Sequence, residues 1–289
     1  MPEVELSRGP IEYEDTGGDG PVLVFSHGVV MDGTLWRDVV AHLRADHRCV
    51  VPTLPLGAHR RPMRADADLS MSGIAALLGE FLEALDLRDV TLAASDWGGP
   101  LVLAADGPND RIGRLVITSC EAFDNVPPGL PGQAIGIASR IPGGLFAALH
   151  QLRVPALRKL PMTFGWMTRR GIPDEVMRSW LAPGLAQRDV RRDLRKYALS
   201  AKEGARILDA ATQRLRDFDR PALVAWAADD RVMPPEHGRR LAELLPQGRL
   251  VEIADSYTLI PLDQPAQLAG AIREFVHEAK RAPSASMSP

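Results

Sequence analysis

Several features of secreted, membrane-spanning and metal-binding proteins are missing from this 289-residue sequence. Its two cysteines, Cys49 and Cys120, sit in separate apolar runs, so we expect neither a disulfide framework nor a metal site. No apolar run reaches about 18 residues and the N-terminus lacks a signal-peptide core, so we expect a cytoplasmic protein without a membrane partner. A net charge of −3 argues against nucleic-acid binding.

Strand-like and helix-like patterns alternate between residues 21 and 120. The run 21–25 is continuously apolar, as in a strand buried on both faces. The segment 74–85 places its apolar residues three and four positions apart, which is the spacing of an amphipathic helix. Alternation of this kind predicts an α/β fold with a mostly parallel central sheet flanked by helices.

The pattern changes in the middle of the chain. Residues 125–215 contain no clear strand and several helical stretches broken by Pro and Gly, which predicts an inserted helical cap. We therefore expect a core made of 1–124 and 216–280. The segment 281–289 is rich in Ser, Ala and Pro, and we expect a disordered tail there.

Charge divides along the same boundaries. Residues 126–215 have 15 basic and 6 acidic side chains, whereas the remainder has 19 basic and 31 acidic ones. Solvated helix faces and attraction between cap and core explain this difference simply. A second interpretation is a positive field that draws anionic substrates toward the cleft between cap and core.

A short apolar strand leads into Asp96 and is followed at once by a helix signal. A sharp strand-to-helix turn exposes its apex side chain and needs small residues two positions before and after it. With Asp96 as the apex those residues are Ala94 and Gly98, which fit. With Ser95 as the apex, one of them is Trp97, which does not. An ordinary turn with a solvated aspartate is the alternative.

This segment resembles the nucleophile elbow of the α/β-hydrolase fold. The motif D-W-G-G at 96–99 is similar to the haloalkane dehalogenase and epoxide hydrolase branch, in which Asp replaces the usual Ser. The pair His27–Gly28, which follows a strand, resembles the oxyanion-hole segment. The resemblance implies that the backbone N–H groups of Val29 and Trp97 face the nucleophile, and that the Trp97 indole binds halide in a dehalogenase.

The chain also departs from both families near that segment. Val29 has no side-chain donor, so a dehalogenase would need a second halide ligand from the cap. Epoxide hydrolases read H-G-x-P where this chain reads H-G-V-V, and they use tyrosine hydroxyls as acids. Only Tyr197 in the cap and Tyr257 in the last loop are available for that role.

The resemblance also implies positions for a catalytic acid and a base. A strand ending W-x-x-D-D assigns the acid to Asp230, which is alternatively a cap for the helix near Pro235. The family's histidine lies seven residues before the proline of the last helix, and that position is Thr258. No histidine occurs in 254–265, so His59 and His150 are the candidate substitutes.

These observations predict a hydrolase in which Asp96 attacks a haloalkane-type or epoxide-type substrate between core and cap. The attack forms an ester that Thr258 cannot help to hydrolyse. The alternative is an impaired or non-hydrolytic homologue that serves as a small-molecule-binding protein. We expect no cofactor and no metal ion, a small and possibly anionic organic ligand, and a monomer or homodimer.

Overall fold

An eight-stranded sheet forms the centre of the computed structural model, which describes residues 1–106 and 110–281. The strand order is β1-β2-β4-β3-β5-β6-β7-β8; β1 and β2 are antiparallel to their neighbours and all other pairs are parallel. The strands are β1 Glu3–Leu6, β2 Gly9–Asp15, β3 Val22–Phe25, β4 Arg48–Pro52, β5 Val90–Asp96, β6 Ile112–Cys120, β7 Ala222–Ala227 and β8 Gly248–Ile253. The expected mostly parallel sheet is confirmed.

Helices connect the parallel strands. They are α1 Arg37–Leu43, α2 Met71–Ala84, α3 Gly99–Ala105, α4 Gly129–Arg140, α5 Gly144–Gln151, α6 Pro155–Arg158, α7 Asp174–Ala186, α8 Arg188–Leu199, α9 Ala201–Arg214, α10 Pro235–Leu244, α11 Ile260–Asp263 and α12 Pro265–Arg281. Helix α2 shows why the pattern works: its apolar residues are buried, and the Ser70 hydroxyl caps its start by accepting from the Gly73 N–H. None of the described helices is long and apolar enough to cross a bilayer.

Strand β5 lies in the middle of the sheet, between β3 and β6, and all seven of its residues are buried. Its pairing with β6 aligns Ala94 with Ile117, then shifts so that Asp96 lies beside Cys120. Because the strands are parallel here, the carboxyl ends of β3, β5, β6 and β7 share one edge of the sheet. Ligand sites of open α/β sheets form at this edge.

Helices α4 to α9 occupy the stretch between β6 and β7, and the described part of that stretch contains no strand. Helix α4 packs on α5 and α8, whereas α9 packs against α3 and α2 of the core. These six helices span the stretch 125–215, for which the sequence predicted an inserted cap. The expected tail lies outside the described residues, except that Arg281 ends α12.

Candidate active site

Asp96 is the last residue of β5, and its backbone is in the left-handed region, with φ of 63°. Its side chain is buried, and the Val29 N–H donates to Asp96 Oδ2 across 3.1 Å. Oδ1 forms no hydrogen bond with the described residues. Gly28 permits this approach, because a Cβ there would lie 2.0 Å from Oδ2. The strand-to-helix turn thus holds a strained residue against a glycine.

Of two expected features of the turn, the structure shows one and not the other. A Cβ at Gly98 would come within 2.8 Å of the Glu121 carbonyl and of the Leu208 side chain, so only a small residue fits there. The Trp97 backbone N–H, however, donates to the Ser95 carbonyl at 2.7 Å. Of the two predicted backbone donors, Val29 is therefore the one that reaches Asp96.

A large cavity of about 640 Å³ opens next to Asp96. Helices α4 and α5 and the segment from Met162 to Met167 form most of its wall, and nearly all of the lining side chains are apolar. The polar lining side chains are Asp96, Glu121, Gln133, Gln151, Thr163 and Tyr197. No Lys or Arg lines the cavity among the described residues, so its wall offers no cationic side chain for an anionic ligand.

Glu121 lies beside Asp96, and its role in the site was missed by the sequence analysis. It follows β6 directly, its backbone N–H donates to the Asp96 carbonyl at 3.0 Å, and its Oε2 accepts from the Gly98 N–H at 3.2 Å. The Tyr197 phenol, from α8, lies close to the Glu121 carboxyl. An acidic residue at the carboxyl end of the strand next to the elbow is a signal that was available in the sequence.

Burial shifts the pKa values of this group upward. Burial raises the pKa of Asp96 to about 7 against the Val29 hydrogen bond, and the nearby Asp230 adds to the rise. Burial, with the charge of Asp96, raises the pKa of Glu121 to about 8. The pKa of Tyr197 is raised well above its ordinary value by the same two causes, burial and neighbouring carboxylates. At neutral pH the group therefore holds protons that exposed carboxyls would release.

Asp230 and Thr258, the positions that the resemblance implies for the acid and the base, lie side by side. The Thr258 hydroxyl donates to Asp230 Oδ1 at 2.8 Å, and both residues are buried. The backbone N–H groups of Val232 and Met233 also donate to Oδ1, each at 2.9 Å. Oδ2 is buried and accepts no hydrogen bond of ordinary geometry from the described residues, although the Ser119 hydroxyl is near. Burial raises the pKa of Asp230.

Neither candidate substitute for the missing histidine lies in the site. His59 Nε2 is 3.2 Å from Asp193 Oδ2, and the pair is buried between the loop after β4 and α8. His150 is exposed on α5 and stacks beside Phe146, with ring centroids 5.6 Å apart. Neither lines the cavity. Sequence alone could not place His59, because its partner Asp193 lies 134 residues away along the chain.

His27 has a structural role. Its Nε2 accepts from the Leu54 N–H at 2.9 Å, and its Nδ1 lies 2.9 Å from the Gly28 carbonyl. These partners assign the proton to Nδ1. Burial lowers the pKa of His27 to about 4, so the imidazole is neutral and is fully used in holding the glycine beside Asp96.

The two predicted aromatic ligands of the substrate lie off the cavity wall. Tyr257 packs under two guanidinium groups, with Arg231 4.6 Å and Arg169 5.4 Å from its ring centroid, and it does not line the cavity. Trp97 is fully buried and does not line the cavity either. Its indole nitrogen has no hydrogen bond of ordinary geometry, but it lies near Tyr197, which does line the cavity.

One cluster within the described ranges has side chains of the types that bind metals. Ligand atoms of Asp46, His47 and His277 lie within 4.8 Å of one another, outside the cavity wall. The Asp46 carboxylate is already paired with Arg273, whose Nε is 2.7 Å from Oδ2. A cation beside the carboxylate disfavours a divalent ion, so the cluster is better explained as an ion pair that ties α12 to the loop after α1.

A model of the α/β hydrolase fold family matches residues 21–265. The chain belongs to this family. The resemblance inferred from the elbow, the H-G pair and the acid loop is thereby confirmed at the level of family and fold.

Relatives of this α/β hydrolase are named enzymes. It is 29% identical to cis-3-alkyl-4-alkyloxetan-2-one decarboxylase of Xanthomonas campestris pv. campestris over 281 residues, which are 92% of each chain. It is 28% identical to haloalkane dehalogenase 2 of Mycobacterium bovis over 284 residues, covering 93% of this chain and 92% of that protein. The expectation of a hydrolase-type enzyme is confirmed at that level.

Solved structures agree on the fold. An ancestral haloalkane dehalogenase superposes with a TM-score of 0.76 at 21% identity, covering 98% of this chain and all of the other. The haloalkane dehalogenase DbeA of Bradyrhizobium elkani gives a TM-score of 0.76 at 18% identity, covering 96% and 97% of the two chains. At such identities the likeness concerns architecture alone.

The raised pKa of Asp96 predicts a stabilising variant. Because folding raises this pKa from 3.8 to about 7, the folded state retains the proton through that window, and stability falls as the pH rises through it. The variant Asp96→Asn removes this effect, and Asn tolerates the left-handed backbone. In urea unfolding, we expect the free energy of unfolding of Asp96→Asn to exceed that of wild type by about 4 kcal/mol at pH 8 and by about 2 kcal/mol at pH 5.

The exposed Asp66 supplies the control. Asp66→Asn should change the free energy of unfolding by less than about 0.5 kcal/mol at both pH values. If Asp96→Asn were no more stable than wild type at pH 8, or if its advantage did not shrink at pH 5, Asp96 would not be the buried acid described above.

Proposed function

We propose that this chain uses Asp96 as a nucleophile toward an apolar alkyl electrophile of the haloalkane or epoxide type. The observation that carries the proposal is the position of one carboxylate at the strained apex of the turn. Its Oδ2 is held by the Val29 N–H at 3.1 Å, and its side chain lines the cavity. One oxygen is oriented, and the other has no competing hydrogen bond.

The proposed step is a displacement at carbon. With a haloalkane, Asp96 Oδ1 forms a bond to the carbon, and the halide leaves with the electron pair of the carbon–halogen bond. With an epoxide, Asp96 Oδ1 forms a bond to a ring carbon, the bond from that carbon to the ring oxygen breaks, and the freed oxygen takes up a proton. The apolar wall favours alkyl groups and excludes water. An ionised Asp96 carboxylate with few water contacts is a more reactive nucleophile than a hydrated one.

Glu121 is the proposed donor of that proton, with Tyr197 beside it. With a pKa near 8, Glu121 is mostly protonated at neutral pH, whereas Asp96, with a pKa near 7, is about half ionised. A neutral acid next to an ionised carboxylate is the combination that ring opening needs. A halide needs no proton, so Glu121 gives ring substrates an advantage that haloalkanes do not share.

Breakdown of the ester is the weak part of a hydrolytic cycle here. Hydrolysis needs a base that activates water, and Asp230 would orient that base. Asp230 has Thr258 as its partner instead, and a threonine hydroxyl takes up no proton near neutral pH. We therefore expect the ester to form faster than it is cleaved, which makes the covalent adduct the best observable.

Intact-protein mass spectrometry tests the nucleophile. After incubation with 1-bromohexane at pH 8.5, we expect one hexyl group per chain, located by peptide mapping on Asp96. The rate of labelling should rise about tenfold from pH 6 to pH 8.5, because ionisation follows a pKa near 7. The adduct should be absent in Asp96→Asn.

Glu121→Gln separates the two substrate types. It should slow labelling by 1,2-epoxyhexane by about 100-fold, in the range of general acid catalysis, and leave labelling by 1-bromohexane within a few-fold. An adduct elsewhere than on Asp96 would overturn the proposal. Neither adduct nor product with any electrophile would favour the alternative of a small-molecule-binding protein that has lost turnover.

Thr258→His tests the explanation of the missing base. The new imidazole would lie beside the Asp230 carboxylate, which accepts from residue 258 in wild type. We expect ester cleavage to accelerate by about 100-fold or more, measured as loss of the hexyl adduct after excess 1-bromohexane is removed. Thr258→Asn is the matched control, because it keeps a hydrogen-bonding side chain but supplies no base. Equal cleavage rates in the two variants would contradict the assignment of position 258.

A non-hydrolytic reaction is the second candidate, and the absence of a base at Thr258 favours it. The Xanthomonas relative is named as a decarboxylase of cis-3-alkyl-4-alkyloxetan-2-ones. Splitting such a ring breaks one carbon–carbon and one carbon–oxygen bond and gives an alkene and carbon dioxide, with no water consumed. The apolar cavity of about 640 Å³ has room for two alkyl chains.

Product analysis with a cis-3-alkyl-4-alkyloxetan-2-one distinguishes the two candidates. If the protein is a decarboxylase, we expect the alkene to form with repeated turnover, and we expect Asp96→Asn to lose that turnover. If the protein is a hydrolase, we expect the 3-hydroxy acid as product, or an acyl or alkyl adduct on Asp96 without turnover. Gas chromatography of the alkene and mass spectrometry of the protein give both answers from one incubation.

A further inference from the structure

The large exposed apolar side chains are concentrated in one segment of the molecule. Apart from Met1, all of those in the described residues lie between positions 130 and 199, and seven lie between 130 and 162. These seven are Leu130, Ile137, Ile141, Phe146, Val154, Leu160 and Met162. Such a concentration differs from the scattered single residues found on ordinary surfaces, and it marks a surface that contacts something apolar.

Four of the seven also line the cavity, and we call them the mouth residues: Leu130, Ile137, Ile141 and Met162. They are between 40% and 61% exposed, so the cavity opens to the outside among them. Leu130, Ile137 and Ile141 are spaced seven and four residues apart and therefore share one face of the helical segment around α4. The apolar surface is thus continuous with the inside of the cavity.

The charged side chains that belong to this segment all have one sign. From residue 125 to residue 173 the sequence contains six Arg or Lys residues and no Asp or Glu. Among them Arg140, Arg153 and Lys159 are exposed and form no ion pair with the described residues. Each directly precedes an exposed apolar residue: Ile141, Val154 or Leu160. Cations beside apolar side chains are typical of surfaces that meet the headgroups and acyl chains of a lipid layer.

We propose that α4 to α6 and the following loop to Met162 bind the surface of a bilayer that contains anionic lipid. The mouth residues contact the acyl region, and Arg140, Arg153 and Lys159 contact the phosphates. A second copy of the chain is the competing occupant. A two-fold contact would bring two such faces together, and each would carry unpaired positive charge without an acidic partner.

This binding places the opening of the cavity against lipid. A long-chain alkyl compound would then pass from the bilayer into the cavity along an apolar wall, without crossing water. Membrane attachment of this kind is peripheral and revises the expectation of no membrane partner. It does not depend on the chemistry at Asp96, because none of the mouth residues belongs to the reacting group.

Vesicle flotation with the purified full-length protein tests the proposal. We expect strong binding to vesicles of phosphatidylcholine with about 30% phosphatidylglycerol, and weak binding to phosphatidylcholine alone. Arg153→Glu with Lys159→Glu should lower the partition coefficient at least about 25-fold, since each basic residue contributes about fivefold. Ile137→Ser should lower it about tenfold, because it removes exposed apolar area rather than core.

The matched control is Arg44→Glu with Arg216→Glu, which changes the net charge equally at exposed cations outside this segment. It should bind anionic vesicles within about threefold of wild type. Equal losses in the two charge-reversal pairs, or equal binding to neutral and anionic vesicles, would overturn the proposal. A dimer in light scattering that Ile137→Ser dissociates, with no vesicle binding by wild type, would assign the face to a second copy instead.

Discussion

Burial of one carboxyl group at the carboxyl edge of the sheet is the constraint around which this structure is arranged. Asp96 has a left-handed backbone and a nearly inaccessible side chain, and its hydrogen bond from the Val29 N–H only partly offsets the loss of water. The glycine at 28 allows the contact, and His27 holds that glycine through two backbone partners. Strands β3 and β6 supply the walls on either side.

A consequence of this burial is a group of acids that hold their protons to a higher pH than exposed carboxyls do. Asp230 lies close enough to raise the pKa of Asp96, and Asp96 in turn raises the pKa of Glu121. Exclusion of water raises the pKa values of all three. In a hydrolytic cycle with a histidine at position 258, the Asp230 carboxylate would face a charged imidazolium. Here the Thr258 hydroxyl occupies one oxygen of Asp230, and the other oxygen has no well-formed hydrogen bond. The proposed attack by Asp96 and proton donation by Glu121 fit this arrangement better than activation of water does.

The inserted helices have two different surfaces, and this difference explains the charge asymmetry of the chain. Toward Asp96 they present an apolar wall without a cationic side chain among the described residues. Their basic residues lie elsewhere: Arg192 pairs with Asp193 beside the core, and Arg140, Arg153 and Lys159 face outward. A field that guides an anionic substrate to the reacting group finds no support in this wall. The outward cations suit an anionic surface outside the cavity.

Local sequence determined much of this protein. Alternating strand and helix periods predicted the parallel sheet, and small residues around Asp96 predicted the apex at the end of β5. These two inferences succeed because backbone sterics and short spacings act within a few residues. The position of Thr258 came instead from the resemblance to the family, and its contact with Asp230 joins residues 28 positions apart. Only the tertiary structure decided that Glu121 joins Asp96, that His59 is paired with Asp193 and that Tyr257 lies under Arg231. Those contacts join residues from separate elements, and packing of the whole chain selects among many partners that are equivalent in sequence.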